Sequence, residues 1–135
     1  MKLFNKKIKR NKDTGTPIER YIKSFFHAVD GIAYSIKEEH NIIIILICAI
    51  LAILLSIYFK IDTNQFLFII GIIGAIMASE LINTAIEATI DISSPEYSNL
   101  AKIAKDTASS ATLILCVTAL IGGIIIFLPL ILEMR

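Results

Sequence analysis

The sequence predicts an all-α integral membrane protein with an N-terminal amphipathic surface helix and three transmembrane helices. Hydrophobic residues make up 56% of the 135 residues, and the mean hydropathy of +0.74 exceeds that of typical soluble domains. Two runs, 42–59 and 107–132, carry no charged residue and are long enough to cross a bilayer. The first twelve residues contain six basic side chains and no acidic one, an excess typical of a cytoplasmic end.

The chain is expected to divide into a basic polar tail, residues 1–17, and one membrane domain, residues 18–135. The tail can contact anionic lipid headgroups through its lysines and arginine. Thr16 suits the cap of a helix, Pro17 suits its first position, and Glu19 follows Thr16 by three residues, which is the capping-box pattern. Apolar residues then recur at helical spacing, so residues 18–39 are predicted to form an amphipathic helix at the membrane surface.

Three spans follow the surface helix. They are predicted at 42–59, 66–90 and 107–132, with a polar turn at 60–65 and a polar loop at 91–106. With the N-terminus in the cytoplasm, the 91–106 loop is also cytoplasmic, whereas the turn and the C-terminus lie outside. Lys102 and Lys105 fall in the inner loop, in agreement with the positive-inside rule. We therefore expect a multi-pass protein of the cell membrane.

The stretch ASELINTAIEATID, residues 78–91, places charges in the second span. Because helical residues advance by ~100° each, its polar side chains share one sector roughly 100° wide; they are Glu80, Asn83, Thr84, Glu87 and Asp91. Ionisable groups in a membrane are costly and usually face a bundle interior or a watery site. Helix packing alone would more often use serine, threonine or asparagine, so we interpret the stripe as functional.

Further polar residues are predicted at the same cytoplasmic interface. Glu39 ends the surface helix there, and carboxylates with open coordination positions suit a hard cation such as Mg²⁺. Lys102, Lys105 and Asp106 enter the third span, where a lysine can hold a phosphate as a point charge. The chain has no GxxxxGK[ST] loop, so any phosphate site must be built without one.

ELINTAIEATID followed by EYSNLAKIAKD resembles the prokaryotic diacylglycerol kinase family. The resemblance covers residues 18–132, and LAKIAKD with the terminal IIFLP is more similar to the Gram-positive branch, whose members resemble undecaprenol kinases. The resemblance implies a lipid kinase that uses ATP and Mg²⁺ and assembles as a homotrimeric helix bundle. A membrane lipid alcohol is then the expected second substrate, and no nucleic-acid partner is expected.

The resemblance also implies a role for individual residues. Glu80 matches the general base on the lipid hydroxyl, and Asn83 positions it; Glu39 and Glu87 match the Mg²⁺ ligands. The residues that match ATP contacts are Arg20, His27, Glu39, Glu87, Glu96, Tyr97, Ser98, Lys105 and Asp106. Ser109 joins Glu80 as a lipid-binding residue, and Asp91 matches an architectural aspartate.

This sequence departs from the family at two points. Ile42 and Ile43 follow the EEHN segment where related sequences often carry a Phe-Arg pair, so a contact made by that arginine is absent here. After Lys105 and Asp106, the segment TASSA replaces the more usual small-residue pattern with an additional serine, Ser110.

Several functions remain open from the residues themselves. Within the kinase class, undecaprenol is the expected acceptor and diacylglycerol is the alternative. Outside that class, the stripe could belong to a small ion or proton pathway or to an assembly subunit. A pathway would continue polar residues through the outer half of the second span, but residues 66–78 are almost entirely apolar. An assembly role leaves Lys105 and Asp106 without a purpose.

Overall fold

The computed structural model describes residues 16–93 and 98–134, and it contains four helices over those ranges. They are α1 (Pro17–Glu38), α2 (His40–Phe59), α3 (Thr63–Ser93) and α4 (Asn99–Glu133). The chain divides into two compact units, residues 1–34 and residues 35–135. In the second unit α2, α3 and α4 are each long and apolar enough to cross a membrane. The predicted all-α membrane fold with three spans is confirmed.

The first helix begins with the predicted capping box. The Thr16 amide donates to Glu19 Oε2 at 3.1 Å, and the Glu19 amide donates to Thr16 Oγ1 at 3.3 Å. These reciprocal bonds satisfy amide groups that have no partner within the helix. Most of the large apolar side chains of α1 are exposed, Ile18, Tyr21 and Phe25 among them, as expected of a helix with an apolar face.

A tight turn joins α2 to α3. Lys60 caps α2 in the left-handed conformation, with φ of 51°, and its amide bonds back to the Ile57 carbonyl. Asp62 Oδ1 then accepts from the amides of Asn64 at 2.8 Å and Gln65 at 3.1 Å, which caps α3. Only residues 60–62 separate the two helices, and α2 packs against α3. Helices that pack side by side across so short a connection run antiparallel.

The central helix of the second unit is α3, which packs against both α2 and α4. Ser79 Oγ lies 3.0 Å from Thr112 Oγ1, and Lys105 Nζ lies 2.5 Å from Asp91 Oδ1. As the residue number rises on α3 it falls on α4, so these two helices are also antiparallel. Toward the other end, the Phe68 ring packs against the backbone of Gly122.

The helices are longer than the predicted spans. With 31 residues in α3 and 35 in α4, at ~1.5 Å per residue they extend beyond a ~30 Å hydrocarbon core. Residues 91–93 and 99–106, predicted as loop, are helical. Polar residues outside the hydrocarbon can continue a helix in water, which composition alone does not distinguish from a loop.

Little of the apolar surface of α2, α3 and α4 is buried. The core is limited to a few side chains such as Ile42, Ile69 and Ile76, while large apolar residues such as Ile44, Leu113 and Ile125 are exposed. In water such a surface would be unfavourable. It is the surface expected of helices surrounded by lipid or by further helices.

Gly122 permits the close approach of α3 to α4, and we predict that Gly122→Ala destabilises the protein. A β-carbon there would collide with the Phe68 ring, which must swing aside at a cost of about 1 kcal/mol. Thermal unfolding in detergent should show a melting temperature lower by a few degrees. Gly123→Ala is the matched control, because its β-carbon would meet nothing; equal melting temperatures for the two variants would contradict the contact.

Candidate active site

Three of the five residues in the polar stripe of α3 are buried inside the second unit, whereas Glu87 is half-buried and Asp91 is exposed. Glu80 is 2% exposed, Asn83 4% and Thr84 5%. Thr84 donates its hydroxyl to the Glu80 carbonyl at 3.0 Å, and Asn83 donates to Glu87 Oε1 at 3.0 Å. The predicted stripe therefore exists as one connected face. Its part from Glu80 to Thr84 is turned inward, as expected of an ionisable group within a membrane span.

Two oxygen atoms of this face have no partner. Glu80 Oε1 and Asn83 Oδ1 are buried, and neither accepts a hydrogen bond from any residue that the structure describes. A buried polar atom without a partner costs about 1–3 kcal/mol, and more where the group is charged. Folding alone gives no reason to bear that cost, so the two atoms indicate a place where another molecule supplies donors.

Glu80 forms part of the wall of a cavity of about 280 Å³ between α2, α3 and α4. One part of the wall is polar and the rest is apolar. The polar residues are Asn41, Glu80, Ser109 and Thr112, and the apolar ones are Ile44, Ile45, Leu113 and Cys116. Such a lining suits a molecule that has a polar end and an apolar body.

Glu39 lies at the same level as the stripe. Both Glu39 and Asn83 are 22 residues from Ile61 in the α2–α3 turn, so the antiparallel helices bring them to about the same depth. Burial raises the pKa of the Glu39 carboxyl, and the nearby charges of Glu87, Glu80 and Glu38 raise it further, while His40 lowers it. The carboxylates of Glu39, Glu80 and Glu87 thus form one electrostatically coupled cluster.

Two ion pairs lie beyond the cluster, near the C-terminal end of α3 and the N-terminal end of α4. Lys105 on α4 pairs with Asp91 on α3 at 2.5 Å, and Lys102 pairs with Asp106 at 2.6 Å along α4. Lys105 and Asp106, adjacent in sequence, therefore have different partners. Asp91 connects the two helices, which fits the architectural role that the resemblance implies for it.

The other predicted site residues fall into three groups. Arg20 and His27 are exposed on the part of α1 that belongs to the first unit. Glu96 and Tyr97 lie outside the described residues, and Ser98 directly precedes α4. Ser109 is in the wall of the Glu80 cavity, where its hydroxyl donates to the Asp106 carbonyl at 3.1 Å.

Sequence reasoning missed two polar residues of the cavity, Asn41 and Thr112. Asn41 follows His40 at the start of α2, where a polar residue is ordinarily read as the end of a span. Thr112 lies three residues after Ser109 and hence on the same side of α4. Extending the helical spacing from Ser109 would have identified it.

Within residues 16–93 and 98–134, no three His, Cys, Asp or Glu side chains converge closely enough to hold a metal ion by themselves. A cation at this cluster would therefore need oxygen ligands from a bound molecule. Mg²⁺ is commonly held in this way, by one or two carboxylates together with substrate phosphates and water.

Comparison with known proteins identifies the family of the chain. The model of the prokaryotic diacylglycerol kinase family matches residues 26–127. The undecaprenol kinase of Bacillus subtilis is 34% identical over 119 residues, which cover 88% of this chain and 97% of that protein. A diacylglycerol kinase of Helicobacter pylori is 36% identical over 96 residues, covering 71% and 75% of the two chains. That of Escherichia coli is 32% identical over 75 residues, covering 56% and 62%.

The three membrane helices and the buried acidic face belong to a membrane-bound phosphotransferase that acts on an alcohol group. More particularly, the chain belongs to the prokaryotic diacylglycerol kinase family. It is a lipid kinase, and its co-substrate is ATP. The resemblance inferred from ELINTAIEATID and EYSNLAKIAKD is confirmed.

The raised pKa of Glu39 predicts how stability depends on pH. Since the folded-state pKa lies above the ordinary value of 4.5, ionised Glu39 disfavours the folded state at every pH above that folded-state pKa. In the absence of divalent metal, Glu39→Gln should therefore raise the melting temperature at pH 8 by about 2 °C, as for a favourable surface substitution. The gain should shrink as the pH falls through the raised pKa and vanish below 4.5.

Glu133→Gln is the control for this measurement, because it removes a carboxylate at the opposite end of α4 from the cluster. Its melting temperature should follow that of the parent protein across the whole pH range. A Glu39→Gln variant that is less stable than the parent at pH 8 would show that Glu39 is held by a favourable partner instead of repelled by its neighbours.

Proposed function

We propose that this protein transfers the γ-phosphate of ATP to the hydroxyl of undecaprenol, with Glu80 as the general base. The observation that carries the proposal is the buried carboxylate of Glu80, whose Oε1 atom has no partner among the described residues. It lies in the wall of a cavity that is polar on one side and apolar on the other. A lipid alcohol fits that cavity, because its hydroxyl is joined directly to an apolar chain.

An apolar groove offers a place for that chain. This second cavity, of about 350 Å³, lies between α2, α3 and α4 and shares Ile44, Ile45 and Cys116 with the Glu80 cavity. It extends along the helices to Phe127, whose ring lies 6.2 Å from that of Phe59. Because the groove begins at the Glu80 cavity, a lipid could place its hydroxyl beside the carboxylate and its chain among isoleucines.

Undecaprenol is favoured over diacylglycerol by the relatives. The B. subtilis protein named for undecaprenol matches 88% of this chain, whereas the H. pylori protein named for diacylglycerol matches 71%. Diacylglycerol is the second candidate acceptor, because its hydroxyl also lies at headgroup depth. The apolar lining of the groove accepts either kind of chain.

The proposed reaction needs little from the protein besides placement and charge. Glu80 takes the proton of the lipid hydroxyl. The hydroxyl oxygen forms a bond to the γ-phosphorus of ATP, and the bond between that phosphorus and ADP breaks. Asn83, bonded to Glu87 and adjacent to Glu80 on the stripe, keeps this face of α3 in place. The apolar surroundings exclude water, which strengthens the electrostatic contacts in the site.

The nucleotide is proposed to bind on the cytoplasmic side of this cavity. Glu39 and Glu87 would hold Mg²⁺ together with the ATP phosphates. Two neighbouring carboxylates suit this role, because the negative charge of each increases the affinity of the other for a cation. When bound, the ion neutralises the phosphate charge. The further proposed ATP contacts are Arg20, His27, Glu96, Tyr97, Ser98, Lys105 and Asp106, with Ser109 toward the lipid.

We further propose a cytoplasmic N-terminus and a homotrimer. The orientation is supported by the basic first twelve residues and by Lys102 and Lys105 at the same end of the bundle as the cluster. The trimer is supported by the large exposed apolar surface of the three spans. Three spans enclose the site only partly, so additional protomers would complete its walls.

Functions of another class explain fewer features. A proton or ion pathway requires polar groups across the membrane, but the groove beyond Glu80 is lined by isoleucine, alanine and cysteine. An assembly subunit would bury its polar stripe against partners. It would not require a buried carboxylate oxygen without a partner among the described residues in a residue that lines a cavity next to an apolar groove.

The acceptor is tested by incubating the detergent-purified protein with ATP, Mg²⁺ and either a C55 prenol or diacylglycerol. We expect labelled phosphate to appear in prenol phosphate, with kcat/KM for the prenol at least tenfold above that for diacylglycerol. The reverse preference would establish diacylglycerol as the acceptor. If neither alcohol gives a labelled product, both undecaprenol and diacylglycerol are rejected as the lipid substrate.

Glu80→Gln tests the general base. The amide keeps the shape of the side chain but cannot take up the proton, so turnover should fall by about 10²–10⁴-fold. Binding of a fluorescent ATP analogue should remain within a few-fold of the parent. The matched control is Glu133→Gln, which should retain full turnover; a Glu80→Gln variant with activity within a few-fold of the parent would refute the base assignment.

A further inference from the structure

Two side-chain hydroxyls, those of Ser79 on α3 and Thr112 on α4, have an arrangement that the catalytic scheme above does not use. We propose that this pair is a subsite for the acceptor hydroxyl, in which Thr112 donates a hydrogen bond to the oxygen that becomes phosphorylated. The proposal rests on the proposed function, because it assumes that a lipid alcohol enters the Glu80 cavity. It adds a positioning contact to that function.

The pair differs from the other helical hydroxyls. Eight other serine and threonine hydroxyls of α2–α4 donate to carbonyls of the preceding turn; examples are Thr84, Thr107 and Thr118, with bonds of 3.0, 2.7 and 2.9 Å. Ser79 and Thr112 make no such bond, and their oxygens lie 3.0 Å apart across the two helices. Their hydrogens are thus not committed to the backbone.

Counting hydrogens shows what the pair can offer. Two hydroxyls carry two hydrogens, and the bond between them uses one. If Ser79 donates to Thr112, the hydrogen of Thr112 remains available, and no described residue accepts it. A threonine that is only 8% exposed gains free energy when a ligand oxygen accepts that hydrogen.

The position of Thr112 directs this donor toward the reaction. Thr112 and Glu80 line the same cavity, and Ser79 is adjacent to Glu80 in α3. Directly beyond Thr112 on the same side of α4 is Cys116, where the apolar groove begins. A lipid chain in the groove would therefore bring its hydroxyl between the hydroxyl of Thr112 and the carboxylate of Glu80.

Both groups can act on one alcohol oxygen at the same time. The alcohol donates its hydrogen to Glu80 and accepts the Thr112 hydrogen with one lone pair, which leaves the other lone pair for the phosphorus. In the transfer, the proton goes to Glu80, the new O–P bond forms and ADP leaves. Thr112 neither gains nor loses a proton, and it acts by positioning the oxygen.

Thr112→Val tests the subsite, because valine keeps the shape of threonine and removes only the hydroxyl. We expect kcat/KM for the preferred lipid alcohol to fall about 3–10-fold, the usual effect of one hydrogen bond, mostly through a higher KM for the lipid. The KM for ATP should stay within twofold. Thr112→Ser, which retains the hydroxyl, should restore kcat/KM to within twofold of the parent.

Thr118→Val is the matched control. Its hydroxyl is exposed and bonded to the Ile114 carbonyl, so its loss should leave both KM values unchanged. A merely structural Ser79–Thr112 bond would give a different pattern. Thr112→Val would then lower the melting temperature in detergent, leave the KM for the lipid unchanged, and overturn the proposal.

Two further results distinguish a failure of this proposal from a failure of the proposed function on which it rests. If Thr112→Val fails to fold, Ser79→Ala provides the decision: a raised KM for the lipid with an unchanged KM for ATP supports the subsite, and unchanged values overturn it. An active Glu80→Gln variant or the absence of lipid phosphorylation would instead overturn the proposed function. The first result would reject Glu80 as the base while the parent still phosphorylates the lipid, and the second would show that the parent itself has no activity on the lipid.

Discussion

The burial of the Glu80 side chain among the three membrane helices is the constraint on which the arrangement of the second unit depends. Moving a charge out of water costs several kcal/mol, and one carboxylate oxygen of Glu80 has no partner among the described residues. The acidic helix must therefore be central, and α3 indeed packs against both α2 and α4. The neighbouring helices exclude lipid from the carboxylate and leave a cavity beside it. A bound alcohol can then supply the missing donor.

A short, capped turn between α2 and α3 sets the depth at which this happens. The left-handed Lys60 and the Asp62 cap fix the α2–α3 turn, so the beginning of α2 meets α3 at the level of the buried stripe. This places Glu39 in the field of Glu80 and Glu87. At the C-terminal end of α3, the Asp91–Lys105 pair fixes α4 against α3. The α2–α3 turn takes no part in the proposed chemistry, whereas Lys105 is also a proposed ATP contact. Both features determine which side chains reach the cavity.

The fold and the acidic face could be predicted from the sequence because both follow from periodicity. Uncharged runs give the spans, and a 100° advance places Glu80, Asn83 and Glu87 on one face. The ends of α3 and α4 could not be predicted in this way, since residues 91–106 are polar whether they form loop or helix. The pairing of Lys105 with Asp91 instead of Asp106 depends on the register between two helices. The polarity of the cavity at Thr112 depends on that register as well.

The division of the cavity into polar and apolar parts addresses a difficulty that every kinase has with water. Water is small, abundant and able to attack the γ-phosphorus, whereas the acceptor is a single hydroxyl on a long chain. If Ile44, Ile45 and Cys116 receive that chain, the binding energy of the apolar part positions the hydroxyl. A water molecule has no apolar chain to bind in the groove, so it gains no such binding energy. With Glu80 as the proposed base, this placement favours the lipid hydroxyl over water.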